Sequence, residues 1–534
     1  MYAKKKNGDR TYHWKFKDKL RLIPVPESKH FWNYDREARK LSHQYVQHLS
    51  LSEPVFKDYL SKLISLNYTD YYAFRRKAEE VYPNEKLSFH EIYQFYDDIY
   101  NQSPPSRKTI SIFKSVSPFV KFVVYALQSA FFCLISSDKV STSSVLYIRK
   151  KAMPDLAMSD NLGELVEKNN ISFSKTFSLF SNQKTKYDFN FLNNYKGSFM
   201  RAIKSLTLSL LSGIRYFRSF YQLNLPNEYF FQFLKHSFLM NNILLLNPKV
   251  VCGVLLDKPF FTLLKLYKRN HQKIVSLNES FSFSPYTNFD FNHLDVYFAM
   301  NKMELTNLNE ISGEIKRVEF VEFYRKNLKA NSNGISNDIK SVLERYNQRV
   351  LLTTCQTPDD TFYPWSKIEL IKFLNACKMS AIENKKALFV LKGKKGELDF
   401  LSQQQRQEIE SLPNLIVINS VTPKLNKFNQ FEDLLTHFDL LISMSVKSTT
   451  MWQALSHGIP FIGVNDNHDS TFLAEYNFLE VSSENLLKAV EYRLSEKSKE
   501  EWRKTQSELI DLLNIKSSSG LEKASKIICE VVHE

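Results

Sequence analysis

From residue 144 onward the chain alternates short apolar runs with helical stretches, in two separate series. Val145–Ile148, Phe173–Phe180, Val250–Leu255, Ile274–Leu277 and Leu294–Ala299 read as the strands of the first series. Val350–Thr354, Leu388–Leu391, Leu415–Ile418, Leu440–Ser443 and Phe461–Val464 read as those of the second. Helical patterns separate them, near 161–169, 196–246 and 260–269 in the first series. In the second they fall near 366–384, 403–411, 430–437 and 449–457. Strands that are apolar throughout are buried on both faces, and strands separated by helices pair in parallel beneath those helices. The pattern predicts an α/β chain of two tandem doubly wound, Rossmann-like domains, at residues 144–300 and 349–495. Residues 301–348, polar and containing KANSNGISND, read as a linker region. Helical patterns over 496–534 finish the chain. Two such sheets in tandem form a cleft at their strand C-termini, where ligands bind.

The segment 1–143 lacks this alternation and reads as a helical, basic extension. Its first 21 residues carry eight Lys/Arg against Asp9 and Asp18. Such a run is either solvated surface or a contact for an anionic membrane. Phe122–Ile135 is the most apolar stretch, but it has 14 residues, and a bilayer core needs about 20. A buried or an interfacial helix is the reading.

An apolar fraction of 43% with 24% charged residues excludes wholesale disorder. The net charge of +15 favours an anionic partner: nucleic acid, a phospholipid surface or a phosphorylated metabolite. No zinc-finger, helix-turn-helix or RNA-recognition signature is present. Five scattered cysteines without a CxxC pair fit neither a disulfide framework nor a zinc site. The expected compartment is the cytoplasm, including the inner face of its membrane.

Phe438–Val464 carries the most chemistry. An apolar strand runs into a Ser/Thr loop that opens a helix, and Ser448, Thr449 and Thr450 are good cap and first-turn residues. A helix start presents unpaired N–H groups and about half a positive charge, which suits a phosphate. Ser445 and Lys447 add a hydroxyl and a full charge. Gly458 ends the helix, and Pro460 precedes the next strand. Ordinary strand–cap–helix punctuation uses the same residue types.

Asp439, Ile442, Ser443, Ser445, Ser448, Thr449, Ala454, Leu455, Gly458, Ile459, Pro460 and Ile462 together resemble the nucleotide-sugar-binding signature of GT-B glycosyltransferases. The resemblance is strongest to bacterial capsule and surface-polysaccharide transferases of the Kdo-transferase type. It covers about 27 residues closely and 349–495 by element order, and does not reach residues 1–140. It implies that this loop and helix, with Gln453, hold the phosphates of a nucleotide-sugar donor. Common retaining GT-B enzymes carry two Glu eight positions apart here. This chain has Ser445 and Gln453 instead, which leaves inverting or Kdo-like chemistry.

Two further segments match such transferases in part. Gln356 and Asp359, in the loop after Val350–Thr354, resemble a cleft-facing loop, although Pro358, Asp359 and Asp360 also suit a plain turn. Lys392 retains one residue of a strand-end Lys-x-His-Pro pattern, and it serves equally as a surface lysine. No metal and no cofactor is assigned, the nucleotide sugar being a substrate. Glycosyl transfer needs a carboxylate or His to take the acceptor proton. Glu279 ranks first for this role for its polar flanks, followed by Asp155, in the loop after Val145–Ile148, and Asp257. The expected function is transfer of a sugar from a nucleotide sugar to a surface-polysaccharide or lipid-linked glycan acceptor. A teichoic-acid-type polyol-phosphate transferase and a sugar-nucleotide epimerase share the fold. A basic nucleic-acid-binding protein is the alternative of another class.

Overall fold

The computed structural model describes residues 3–4, 11–16, 19–24, 37, 42–44, 46, 53–65, 80–81, 118–127, 130, 143–149, 153–177, 198–222, 227–253, 259–277, 294–299, 317–321, 341–354, 367–393, 401–418, 434–445, 449–466, 472–513 and 520–534. In chain order, β1 (Ala3–Lys4), β2 (Thr11–Phe16) and β3 (Lys19–Pro24) form a small antiparallel sheet. The extension was expected to be helical, and its start is not. Tyr12, Trp14 and Phe16 alternate with His13 and Lys15, a two-residue period that suits a strand. The basic residues obscure that period when the segment is read for charge alone.

The next element, α1 (Pro54–Ser65), is buried rather than appended. Phe56 stacks on Tyr216 with ring centroids 3.8 Å apart, and Tyr59 Oη lies 3.0 Å from His236 Nδ1. Residues 118–127 are helical, with Phe122 and Ala126 fully covered.

The first α/β unit then runs β4 (Val145–Arg149), α2 (Met153–Glu167), β5 (Phe173–Phe177), α3 (Ser198–Gln222), α4 (Asn227–Leu244), β6 (Val250–Gly253), α5 (Pro259–Tyr267), β7 (Lys273–Ser276), β8 (Val296–Ala299) and β9 (Arg317–Phe320). Its six strands are all parallel, in the order β5-β4-β6-β7-β8-β9. The helical block expected over 196–246 is two helices, α3 and α4, with Pro226 preceding the second. The expected linker 301–348 contributes β9, the sheet's sixth strand. Four residues at an edge, of which Arg317, Val318 and Glu319 are only half covered, carry too little apolar periodicity to announce a strand.

The second unit runs β10 (Gln348–Thr353), α6 (Lys367–Glu383), β11 (Ala387–Lys392), α7 (Gln403–Glu410), β12 (Leu415–Ile418), β13 (Leu440–Ser443), α8 (Thr449–Ser456), β14 (Phe461–Val464), β15 (Glu480–Val481) and α9 (Leu486–Arg493). It too is a parallel six-stranded sheet, ordered β12-β11-β10-β13-β14-β15. The protein is thus an α/β chain with two doubly wound parallel sheets.

Two helices finish the chain. α10 (Glu496–Leu513) stays on the second unit: Trp502 Nε1 donates to Gly458 O at 2.9 Å, and Gln506 to Leu455 O at 3.3 Å. α11 (Gly520–His533) crosses to the first unit and packs on α2, β6 and β7. Its Ala524, Ile528 and Val531 share one buried cluster with Val145, Tyr147 and Leu162. Arg317 of β9 reaches Glu530 and Glu534 at 3.1 Å each. Full burial of an Ile or Val side chain such as Ile528 or Val531 contributes about 1.5–3 kcal/mol, so α11 ties the two units through apolar area more than through its exposed ion pairs.

Candidate functional site

Strand order dictates where a ligand can sit. In the second sheet the chain moves outward from β10 through β11 to β12, then outward the other way from β13 through β14 to β15. β10 and β13 are neighbours, so the segments leaving their C-terminal ends diverge and open a crevice between them. The first sheet has the same reversal between β4 and β6.

Register places Ile418, Lys392, Thr353, Ser443, Gly463 and Glu480 in one row across all six strands, at the C-terminal end of β10, β11 and β13. Side chains in such a row share a face. Two residues earlier, Val390, Leu351, Leu441 and Phe461 pack in the same cluster as Met451, Trp452 and Leu455 of α8. Thr353 and Ser443 therefore lie on the α8 side, beneath the start of that helix. Ser443 Oγ accepts the Ser445 N–H at 3.4 Å, and Thr353 Oγ1 donates to Ile442 O at 3.4 Å.

α8 is held rigidly. Gly458 adopts φ +79°, and the pairs Gly458 N–H to Leu455 O (3.1 Å) and Ile459 N–H to Ala454 O (2.9 Å) form a Schellman end. Trp452 is fully buried and meets Phe461 edge-on at 6.0 Å. Phe461 in turn meets Trp502 at 5.7 Å. With its far end locked, the helix starts at Thr449, six residues after the last residue of β13 at the C-terminal edge of the sheet. Its first-turn N–H groups have no partners within the helix.

The proposed donor residues divide as follows. Ser445 is 2% exposed at the end of β13, and Thr450 is half-buried in the first turn of α8. Lys392 is half-buried at the end of β11 and carries the row's positive charge. Gln453 is buried one turn further along, where its carbonyl accepts Ser456 Oγ at 2.8 Å. Thr449 begins α8, but its side chain lies outside the described residues, as do Lys447, Ser448, Gln356 and Asp359. In the chain, 446–448 joins β13 to α8, and Gln356 and Asp359 follow β10, so both segments leave strands that flank the crevice.

Asp439 is the motif residue that the structure removes from the site. It sits at the opposite edge of the sheet, where its carboxylate accepts the Arg349 N–H at 2.8 Å. Asp295 does the same for Ile274 in the first sheet, at 2.8 Å, and pairs with Lys268 at 2.5 Å. Both are strand-entry caps.

In the first unit, Asp155 was expected in a loop. α2 begins at Met153, which puts Asp155 in that helix's first turn, where a carboxylate also complements the dipole. Its side chain, with Asp257 and Glu279, lies outside the described residues. Asp155 and Asp257 follow β4 and β6, the two strands at the reversal, whereas Glu279 follows β7, one strand further out. Gly253 closes β6 with φ +147°, and a Cβ there would lie 2.6 Å from Ile148 O of β4. Only glycine lets these two strand ends approach so closely.

Sequence reading missed the row itself. Thr353 and Ser443 looked like strand termini, and only pairing puts them side by side. It also missed Asp466, which follows β14 and accepts the Ser483 N–H at 2.7 Å. Among the described residues, no group of His, Cys, Asp and Glu could hold a metal ion.

No protein-family model matches the chain, and no curated protein matches it either. Among solved structures, the UDP-GlcNAc 2-epimerase of Methanocaldococcus jannaschii, in complex with UDP-GlcNAc and UDP, aligns over 72% of this chain and 99% of its own, at 16% identity and a TM-score of 0.46. The wall teichoic acid polymerase TagF aligns over 79% and 98%, at 10% identity and a TM-score of 0.42. A UDP-glucose:anthocyanidin 3-O-glucosyltransferase in complex with UDP aligns over 74% and 100%, at 10% identity and a TM-score of 0.43. The α/β class rests on the two parallel sheets themselves rather than on these distant likenesses.

Proposed function

We propose that this chain is a glycosyltransferase that moves a sugar from a nucleotide-sugar donor to a surface-polysaccharide or lipid-linked glycan acceptor. The observation that carries the reading is the coincidence of two features. The strand–hydroxyl loop–helix segment 438–464 resembles a nucleotide-sugar signature, and its loop leaves the strand at the topological reversal of the second sheet. Each feature alone has an ordinary structural explanation. A phosphate-binding segment placed where doubly wound sheets take their ligands is better explained by a phosphorylated ligand.

In this reading the second unit holds the donor. The α8 N-terminus and the hydroxyls of 445–450 receive the diphosphate, and Lys392 adds charge at its edge. An acceptor hydroxyl attacks the anomeric carbon, the bond from that carbon to the phosphate oxygen breaks, and the electron pair leaves with the nucleotide. Fixed N–H dipoles stabilise that developing negative charge. A carboxylate of the first unit takes the acceptor's proton. Asp155, Asp257 and Glu279 are the candidates, and the first two follow the strands at that sheet's reversal. No resident cofactor is required.

A thermal-shift panel of UDP, GDP, CMP, CDP and ADP tests the donor site. A ligand at 100 times its Kd adds about 2.7 kcal/mol of stability, so one nucleotide should stand out. Product analysis with the matching sugar nucleotide then separates sugar transfer from epimerisation, and a CDP-polyol donor separates both from polyol-phosphate transfer. A panel with no response, combined with salt-sensitive binding of random DNA or RNA, would overturn the reading in favour of a nucleic-acid-binding protein.

A further inference from the structure

Most apolar side chains that remain exposed are concentrated in one place. Nine large hydrophobic side chains are exposed among the described residues, and six of them lie on just two helices. Val120, Val124 and Leu127 belong to the helix of residues 118–127, and Met200, Leu211 and Ile214 belong to α3. Scattered single residues would need no explanation, but this clustering does.

The α3 residues form a stripe. Met200, Lys204, Thr207, Leu211, Ile214 and Arg218 recur at helical spacing and are all exposed. Met200 is 70%, Leu211 58% and Ile214 68% exposed. Phe217, half-buried at the edge of this stripe, lies 6.0 Å from Phe119. A Cβ on Gly213 would lie 3.3 Å from the same Phe119 ring. The exposed stripe of α3 therefore continues onto the neighbouring helix at Val120. At 1.5 Å per residue α3 alone is about 37 Å long.

Charge identifies the occupant. Neither helix contains an acidic residue. Lys121, Lys204, Arg215 and Arg218 are exposed on them, with Arg215 also paired to Glu53 of the segment preceding α1. A second copy of this chain would set these cations against one another. A bilayer surface instead offers anionic headgroups to the cations and acyl chains to Met200, Leu211 and Ile214. No helix among the described residues is long and apolar enough to cross a membrane, so the contact is one of lying on the surface.

We propose that α3 and the helix of residues 118–127 form a docking face for an anionic phospholipid bilayer, with Leu211 and Ile214 inserted between headgroups and Lys204 and Arg218 beside them. This differs from contact through the basic N-terminus, and it stands whether or not the chain is a transferase.

The test is sedimentation of the full chain with vesicles of phosphatidylcholine, alone or mixed with phosphatidylglycerol. The protein should sediment with the mixed vesicles. Leu211→Asp/Ile214→Asp should reduce that partitioning by roughly tenfold or more, and Lys204→Glu/Arg218→Glu should abolish the preference for phosphatidylglycerol. A Leu211→Trp variant, which leaves the surface apolar, should have its added fluorescence quenched by brominated lipid. Equal sedimentation of the aspartate variant and the parent would overturn the proposal. So would added fluorescence in the Leu211→Trp variant that brominated lipid leaves unquenched, or a change from dimer to monomer on Leu211→Asp/Ile214→Asp. Nucleotide thermal shifts should be the same in the parent and all three variants, so failure here is distinct from failure of the donor site.

Discussion

Thr353 and Ser443 are register partners across the β10–β13 junction, the pair of strands at which the second sheet reverses its winding. Their side chains share the face of the sheet on which Met451, Trp452 and Leu455 of α8 pack.

Loss of the Ser448 and Thr449 hydroxyls should weaken nucleotide binding without abolishing it. Hydrogen bonds to charged groups contribute about 1.5–3 kcal/mol each, and about 1.4 kcal/mol is tenfold in affinity. Calorimetric titration of the preferred nucleotide into Ser448→Ala/Thr449→Val should show a Kd raised at least tenfold, the backbone donors remaining. Unchanged affinity in the folded variant would place the phosphates elsewhere.

Among Asp155→Asn, Asp257→Asn and Glu279→Gln, one variant should lose about 10²–10⁴ in turnover with nucleotide affinity retained. The reversal between β4 and β6 favours Asp155 or Asp257, against the order suggested by polar flanks alone. Steady-state turnover of the three variants decides it, and full activity in all three would remove the general-base assignment.

Two glycines should differ in their tolerance of alanine. Gly253→Ala meets both a φ of +147° and a backbone oxygen at 2.6 Å, which cannot move without disturbing β4. Gly458→Ala meets a φ of +79° and only the flexible end of Gln506 at 3.3 Å. A left-handed conformation costs a non-glycine residue about 1–2 kcal/mol. Urea unfolding should therefore show a loss of that size for Gly458→Ala and a clearly larger one for Gly253→Ala. Equal losses would mean that β4 yields.

Stability should fall on mild acidification. Burial pushes the His236 imidazole down to about 3, with Lys235 adding repulsion, against about 6.5 in an unfolded chain. Between these values the unfolded state binds more protons, so stability is full above about pH 6.5 and declines as pH falls toward 3. His43, half buried, is shifted in the same direction. Melting temperature should drop between pH 7 and 5, and His236→Gln should flatten that slope at the expense of a lower melting temperature at pH 7. An unchanged slope would show that other groups carry it.

Much of this architecture could be read from the chain alone. Leu440–Ser443 and Phe461–Val464 are strands with the boundaries their apolar runs predict, because a strand buried on both faces must be apolar throughout. Gly458 was legible as a helix end because a left-handed residue favours glycine. What the sequence could not carry is anything set by pairing or by an edge. β9 and β15, of four and two residues, are too short to show a period. The first 24 residues hide strand alternation under lysines, because charge and backbone conformation are separate properties. Asp439 and Ser443 stand four residues apart in one motif, yet the extended strand between them carries the first to the sheet's entry edge and the second to its C-terminal edge. The neighbourhood of Lys392, Thr353 and Ser443 exists only because three distant strands share a register, and that is decided by tertiary packing.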